Sequence, residues 1–437
     1  MGTLLSRYAL GISAAAALLA ACGGSQPPIG APGAMPESQT VARTQVMVHK
    51  IRAAASSYRV LYSFTGSPDG ESPSASLVDV NGMLYGTTSR GGKRHEAGTV
   101  FSISTTGVEH VLHNFNAFTT GKRPRAGLID VGGTLYGTTE IGGQHGSGTV
   151  FSISTSGKER TMHSFELNHS DGVHPVASLI NVSGTLYGTT IDGGNYYTGS
   201  GSGYYGYGTV FSITTGGTEK VLHSFGGLMK RISDGRFPEA SVIDAKGTLY
   251  GTTQYGGGYG GPDAGTSGGF GTVFSVTTGG AEKVLHTFSY GSTDGALPWG
   301  NLIDVNGTLY GTTLWGGPNG ETGGTVFSII TSGKEKILHT FGGVADGYDP
   351  EAGLIDVKGT LYGTTFEGGS YGGGTVFSIS TSGTEKVLHS FGSGSDGALP
   401  VAGLIDVNGT LYGTTFAGGA HTGCFYGGCG TVFALTP

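Results

Sequence analysis

The chain has 437 residues, of which 87 are glycine and 12% are charged. The glycines follow no Gly-X-Y period, which excludes a collagen helix, and alternating apolar and polar residues exclude simple disorder. The net charge of −7 provides no global basic field, so we expect no nucleic-acid partner.

The first 22 residues are laid out like a lipoprotein signal peptide. Arg7 precedes an apolar run over residues 8–21 that is too short for a comfortable membrane span. The run ends in Leu-Ala-Ala-Cys, which resembles a bacterial lipobox, so Cys22 is predicted to carry a lipid and become the mature N-terminus. The alternative is an ordinary signal peptide with an incidental cysteine. We expect export to the bacterial cell envelope, at the outer membrane or cell surface, with the lipid as the only membrane contact.

Residues 23–57 are rich in proline, glycine, alanine and serine and show no strand or helix periodicity. Such a composition is typical of a flexible tether. The sequence therefore predicts three parts: a signal peptide over 1–22, a tether over 23–57 and one repeat domain over 58–437.

Seven copies of one unit fill the third part. A typical copy reads Leu-Ile-Asp-Val-Asn-Gly-Thr-Leu-Tyr-Gly-Thr-Thr, then a glycine-rich stretch, Gly-Thr-Val-Phe-Ser, and finally Glu-Lys-Val-Leu-His-Ser-Phe. Four short strands, named A to D in chain order, within a period of about 50–60 residues are typical of a propeller blade.

The two ends of the repeat region complement each other. It begins with a lone D strand over 59–64 and ends with a C strand over 430–435 that no D strand follows. Pairing of these strands would remove the exposed edges of an open array. The predicted fold is therefore an all-β, seven-bladed β-propeller with four antiparallel strands per blade, closed by the N-terminal strand 59–64. We expect a monomer.

The connections give the predicted ring two unlike faces. The A–B and C–D connections are tight turns such as Asn-Gly and Ser-Gly, which suit two-residue hairpins. The B–C and D–A loops share the other face, named the long-loop face, and the B–C loops grow from 140–147 to 191–207 and 254–270. Because binding residues usually collect on variable loops of a rigid scaffold, we expect the function on this face.

Two polar positions recur from blade to blade and are interpreted as structural. Histidines near the end of strand D belong to different blades, too far apart to share one ion. They are His113, His163, His223, His286, His339 and His389, with Tyr62 in the seventh blade. An Asp-Gly-x-x-Pro motif in the D–A loop sets a turn and offers one carboxylate, fewer than a calcium loop needs. It occurs at Asp69, Asp171, Asp234, Asp294, Asp346 and Asp396, with Thr120 in the remaining blade. The sequence predicts neither a metal site nor a cofactor.

Departures from the repeat are the candidate ligand-binding residues. Aromatic side chains in the long loops suit stacking on sugar rings or anchoring a protein partner, and basic ones form a local patch that suits an anionic glycan or phosphate. The candidates are Trp299, Trp315, Tyr196, Tyr197, Tyr205, Tyr255, Arg94 and Arg123. The alternative is that tyrosine and glycine merely form ordered or low-complexity loops.

The cysteines Cys424 and Cys429 are predicted to form a local disulfide, because export permits oxidation and four intervening residues close a tight loop. The chain shows no His-Glu-x-x-His or phosphate-loop motif. No catalytic residue is therefore predicted, although loops at the centre of a propeller could bring two carboxylates together.

The Gly-Thr-Leu-Tyr-Gly-Thr-Thr and Gly-Thr-Val-Phe boxes over about 76–435 resemble the Gloeo/Verruco tandem-repeat proteins of bacteria. The resemblance implies a β-propeller-like extracellular protein at the cell surface or secreted, and it implies no established activity. The unit is also similar to quinone-dehydrogenase-type repeats, but it lacks their docking tryptophans, so bound quinone is not expected.

Our leading hypothesis is a non-enzymatic, lipid-anchored surface protein that binds a polysaccharide or a surface protein through its long-loop face. Two alternatives stay open: an exported carbohydrate-active hydrolase or lyase, and a structural scaffold of the envelope.

Overall fold

The computed structural model describes residues 56–93, 97–168, 170–195, 206–226, 234–258, 269–291, 293–318 and 323–437. These residues form strands, turns and loops and no helix. Within these ranges, accordingly, no helix has the length and apolar character needed to cross a bilayer. Cys22 and the segment assigned to the tether up to residue 55 lie outside the described residues.

The fold is a seven-bladed β-propeller whose blades are four-stranded antiparallel sheets in the order A-B-C-D. The A strands are Val78–Val80, Ile129–Val131, Ile180–Val182, Ile243–Ala245, Ile303–Val305, Ile355–Val357 and Ile405–Val407. The B strands are Met83–Thr88, Thr134–Thr139, Thr185–Thr190, Thr248–Thr253, Thr308–Gly316, Thr360–Thr365 and Thr410–Thr415. The C strands are Thr99–Ser104, Thr149–Ser154, Thr209–Thr214, Thr272–Thr277, Thr325–Ile330, Thr375–Ser380 and Thr431–Thr436. The D strands are Glu109–Asn114, Glu159–Ser164, Glu219–Ser224, Glu282–Thr287, Glu335–Thr340, Glu385–Ser390 and, in blade seven, Ser57–Ser63.

Short strand pairs also lie in the loops of the long-loop face. Gly70–Glu71 pairs with Arg90–Gly91, Gly172–Val173 with Asp192–Gly193, and Gly397–Ala398 with Ala417–Gly418. In blade five, Gly295–Pro298 pairs with the end of the long B strand. These pairs tie four D–A loops to the B–C loop of the blade that follows, and single bridges between Lys122 and Ile141, Arg236 and Tyr255, and Tyr348 and Glu367 do so for the other three.

The first strand of the chain lies in the last blade. Ser57–Ser63 pairs antiparallel with Thr431–Thr436, with Ser57 opposite Thr436 and Ser63 opposite Thr431. The strand begins two residues before the predicted range 59–64, because Tyr58 still pairs with Leu435. The A strand of blade seven contacts that of blade one.

The hydrophobic core lies between neighbouring blades. Tyr85 and Phe115 of blade one pack with Leu135, Phe151 and Ile153 of blade two, and the Phe115 and Phe151 rings meet edge to face with centroids 5.1 Å apart. Equivalent clusters recur around the ring. The tyrosine and phenylalanine of the two boxes therefore hold the blades together by burial of apolar surface.

The paired threonines of the Leu-Tyr-Gly-Thr-Thr box have two separate tasks. The hydroxyl groups of Thr139 and of Thr149 in strand C form a hydrogen bond with each other, and their oxygen atoms are 2.9 Å apart. Thr138 donates across the junction to the carbonyl oxygen of Ala177 in the next blade, at 3.3 Å. The cross-junction bond recurs at Thr87, Thr189, Thr312, Thr364 and Thr414. It fixes the segment at which each D–A loop reaches the axis.

Candidate functional site

A cavity of about 120 Å³ lies on the axis of the ring, at the long-loop face. Every D–A loop ends in proline, one variable residue and a small residue, and the variable residues of all seven blades line this cavity. They are Ser74, Arg125, Val176, Glu239, Trp299, Glu351 and Val401. All seven side chains are half-buried, so a ligand could reach them from the long-loop side.

An unusual backbone conformation directs these segments to the axis. The residue before each proline has a positive φ between 55° and 58°, although none is glycine. These residues are Ser72, Arg123, His174, Phe237, Leu297, Asp349 and Leu399. Left-handed conformations are costly for non-glycine residues and persist where surrounding bonds hold them. At Arg123 the backbone N–H donates to Ala97 O at 2.9 Å, and its carbonyl accepts from Glu140 N at 3.0 Å.

Side chains also join neighbouring segments around the cavity. The Gly127 N–H donates to Ser178 Oγ at 2.8 Å, and the Ser241 N–H donates to Asn301 Oδ1 at 2.8 Å. Each bond crosses from one blade to the next, so the rim is held before any ligand arrives. Preorganisation of this kind lowers the entropic cost of binding.

The lining combines one aromatic face with charged and hydroxyl groups. The Trp299 side chain packs beside the apolar cluster of Ala296, Leu297 and Leu314. Arg125 Nε lies 3.1 Å from Glu140 Oε2. The hydroxyl oxygens of Ser74 and Ser241 are buried and have no hydrogen-bond partner among the described residues.

The structure separates the two predicted tryptophans. Trp299 lines the axial cavity, whereas Trp315 packs against the same apolar cluster from outside the lining. Arg123 has the left-handed backbone conformation that precedes the proline. The arginine that lines the cavity is Arg125, two residues later. Arg94, Tyr196, Tyr197 and Tyr205 lie outside the described residues.

Tyr255 is half-buried and does not line the cavity. The guanidinium of Arg236, which is 6% exposed, lies over three rings, with distances to the centroids of 5.4 Å for Phe237, 5.7 Å for Tyr255 and 5.9 Å for Tyr207. The Tyr255 ring thus contributes a cation–π contact that stabilises a buried arginine.

Cys424 and Cys429 are joined by a disulfide, with their Cα atoms 5.1 Å apart. The bond closes a loop of blade seven that reaches blade one, where the Arg90 guanidinium lies 5.2 Å from the centroid of Phe425 and 5.6 Å from that of Tyr426.

The sequence interpretation missed the axial ring and three clusters of side chains at the junctions between blades. An alignment of the seven D–A loops would have shown Glu239 and Glu351 at equivalent positions. This position varies, whereas the proline before it and the small residue after it recur in every repeat. The argument against a metal compared histidines of different blades, whereas His163, His286 and His339 each meet carboxylates of their own and the next blade. His163 Nε2 lies 3.2 Å from Asp171 Oδ2, and Glu219 of the next blade joins them.

Comparisons with known proteins agree with the fold and the repeat. No curated protein sequence matches the chain. The fold is similar to virginiamycin B lyase from Staphylococcus aureus, at 12% identity and a TM-score of 0.56, covering 87% of this chain and 99% of that one. It is less similar to quinohemoprotein alcohol dehydrogenase from Comamonas testosteroni, at 13% identity and a TM-score of 0.48, covering 87% and 76%. The model of the Gloeobacter/Verrucomicrobia repeat matches residues 37–200 and 258–437, and the chain therefore belongs to this family.

Proposed function

We propose that this protein is an exported, lipid-anchored binding protein that takes one sugar-sized unit of a glycan into its axial cavity. The single observation that carries the proposal is the convergence of Trp299, Arg125, Glu239 and Glu351 in that cavity. Ligand sites are typically concave, with an apolar surface and a few convergent polar groups.

The cavity suits a small polar ring better than a protein surface. A protein cavity of about 150 Å³ holds one benzene molecule, so this one, at about 120 Å³ and open to solvent, would take in part of a sugar unit and leave the rest at its mouth. The indole of Trp299 offers a flat face for stacking, and Arg125, Glu239 and Glu351 bring charged groups to the same cavity. A stable protein partner would instead require roughly 800 Å² on each side.

The proposed location rests on the N-terminal sequence. The apolar run over residues 8–21 followed by Cys22 resembles a lipoprotein signal. Metabolic labelling with a fatty acid in a bacterial host should label the wild-type chain and leave Cys22→Ala unlabelled. Equal labelling of both chains would contradict the anchor.

Binding is tested by screening the full chain on a glycan array and comparing two tryptophan variants. Aromatic contacts contribute up to about 1.5 kcal/mol beyond burial, so Trp299→Ala should weaken binding roughly tenfold or more. Trp315→Ala is the matched control, because its indole packs against the same apolar cluster outside the cavity lining, and it should bind like wild type.

Three results would contradict the proposal. If the wild-type chain bound no glycan, the binding proposal would be wrong and the structural scaffold would become the favoured role. If Trp315→Ala lost binding while Trp299→Ala kept it, the site would lie on the outer loops. If both variants bound like wild type, neither tryptophan would belong to it.

A hydrolytic activity is the second candidate, because two carboxyl groups, Glu239 and Glu351, line the same cavity. Glycoside hydrolysis uses such a pair, one as acid and the other as base or nucleophile. Release of reducing ends from a bound glycan, lost in Glu239→Gln and in Glu351→Gln with binding retained, would establish this role. Binding without turnover would exclude it for that glycan.

A further inference from the structure

We propose that the junctions between blades contain divalent-cation sites, each built from the histidine and aspartate of one blade and the glutamate that begins strand D of the next. Three such clusters bring one ligand atom from each residue within 4.8 Å of the others. They are His163, Asp171 and Glu219; His286, Asp294 and Glu335; and His339, Asp346 and Glu385.

The spacing within the clusters fits shared coordination. Nitrogen and oxygen ligands lie about 2.0–2.2 Å from a zinc ion, so two ligands of a tetrahedral site are roughly 3.4 Å apart. The histidine Nε2 lies 3.2 Å from the aspartate oxygen at His163 and at His286, and 3.3 Å at His339.

Surrounding groups hold the ligands in place. The His163 ring lies edge to face with Phe165, centroids 4.7 Å apart. Asp171 accepts the backbone N–H groups of Gly172 at 2.8 Å and Glu166 at 3.0 Å. Such outer contacts orient metal ligands in proteins.

The glutamate is the group that lacks a partner. At Glu219 and Glu335 its Oε1 is buried and without a hydrogen-bond partner within the described residues. A cation bound between the three side chains would offset the charge of this buried carboxylate.

The donor set indicates the class of cation. One imidazole nitrogen and two carboxylates suit a first-row dication such as Zn²⁺ or Mn²⁺, whereas Ca²⁺ prefers oxygen alone. The ligands belong to two blades, so a bound cation would link them.

The other junctions provide natural controls. The fourth complete set of residues is His223, Asp234 and Glu282, with His223 Nε2 3.4 Å from Asp234. Three junctions lack one ligand each, because Thr120 replaces the aspartate, Tyr62 the histidine and Tyr58 the glutamate. At the last of these, the Tyr58 ring stacks on His389, centroids 3.6 Å apart.

The test titrates the full chain, stripped with EDTA, with Zn²⁺ by isothermal calorimetry and measures bound metal by elemental analysis after gel filtration. We expect three to four Zn²⁺ per chain, a higher melting temperature with Zn²⁺, and little heat with Ca²⁺. The triple variant Glu219→Gln, Glu335→Gln, Glu385→Gln should lose three equivalents, because an amide keeps the shape and loses the charge. Glu109→Gln, at the junction that has Tyr62, should keep the wild-type stoichiometry.

Absence of Zn²⁺ binding by the folded wild-type chain would overturn the proposal. Equal Zn²⁺ binding by wild type and the triple variant would also overturn it, by showing that the metal binds elsewhere. Circular dichroism of the stripped chain and of each variant establishes that the blades are folded.

Discussion

One histidine differs from its equivalents in having no acidic partner. Thr120 stands where the other D–A loops have aspartate. Its Oγ1 still accepts a hydrogen bond from Asn116 N, at 2.9 Å, which stabilises the turn, but the hydroxyl provides no negative charge beside His113. The Nε2 atom of His113 is buried with no hydrogen-bond partner among the described residues, and burial lowers the pKa of His113. The neutral imidazole is therefore favoured in the folded protein.

This difference predicts a pH effect at a single residue. The folded pKa of His113 lies below its unfolded value, so its contribution to stability is complete above about pH 6.5 and is lost as pH falls below it. Thr120→Asp should reverse this trend, because a carboxylate favours the charged ring, by up to about 1 kcal/mol for a partly exposed pair. Urea unfolding at pH 8 and pH 5.5 measures the change.

Thr120→Asn is the matched control, since it has the shape of the aspartate and no charge. It should follow the pH dependence of the wild-type chain. Identical pH dependence of the aspartate and asparagine variants would show that His113 is not the responsible group.

At the scale of elements, each C–D turn meets a bulge in strand D of the preceding blade. In blade one the C–D register skips Leu112 between His113 and Val111, and the carbonyl of Leu112 faces Gly157 of the next blade. A Cβ on Gly157 would lie 2.6 Å from that oxygen, and its φ is +88°. Glycine is required here both by the backbone conformation and by the close approach.

Gly157→Ala should therefore destabilise the fold by more than Gly133→Ala. Gly133, in the A–B turn of the same blade, has a φ of +84°, and a Cβ added there would have nothing within 4 Å. It therefore reports the conformational cost alone, about 1 kcal/mol. Gly157→Ala adds a contact with backbone, for which we expect a further loss of about 1–2 kcal/mol. Denaturant midpoints of both variants test the order, and equal losses would contradict the close approach.

At the scale of the whole molecule, the sequence predicts the ring well and its interior poorly. The seven boxes predict the number of blades and the order of strands, and Trp299 is predicted for its aromatic face. The axial lining is not predicted, because Glu239 and Glu351 acquire a common site only when seven loops converge. The junction clusters are missed for a related reason: the position of Glu219 beside His163 depends on how two blades pack, which no local pattern encodes.

The pairing of Ser57–Ser63 with Thr431–Thr436 predicts how the ring tolerates rearrangement. Deleting residues 57–64 should expose the edge of the last C strand and cause aggregation, because unpaired edges recruit other chains. Moving the same residues to follow Pro437 through a short glycine–serine linker should restore a monomer. Size-exclusion chromatography and thermal melting compare the two variants, and a monomeric, stable deletion variant would contradict the importance of this pairing.

The cross-junction bond, as between Thr138 and Ala177, has a backbone carbonyl oxygen near the axis as its acceptor. It therefore does not involve the side chain of the lining residue that precedes the alanine. Each of the seven lining positions is one codon in a separate repeat, and at six of them this backbone contact does not depend on the identity of the lining residue. Selection can revise what this architecture recognises by single substitutions or by exchanging whole repeats, and relatives with unchanged blades are expected to differ in ligand.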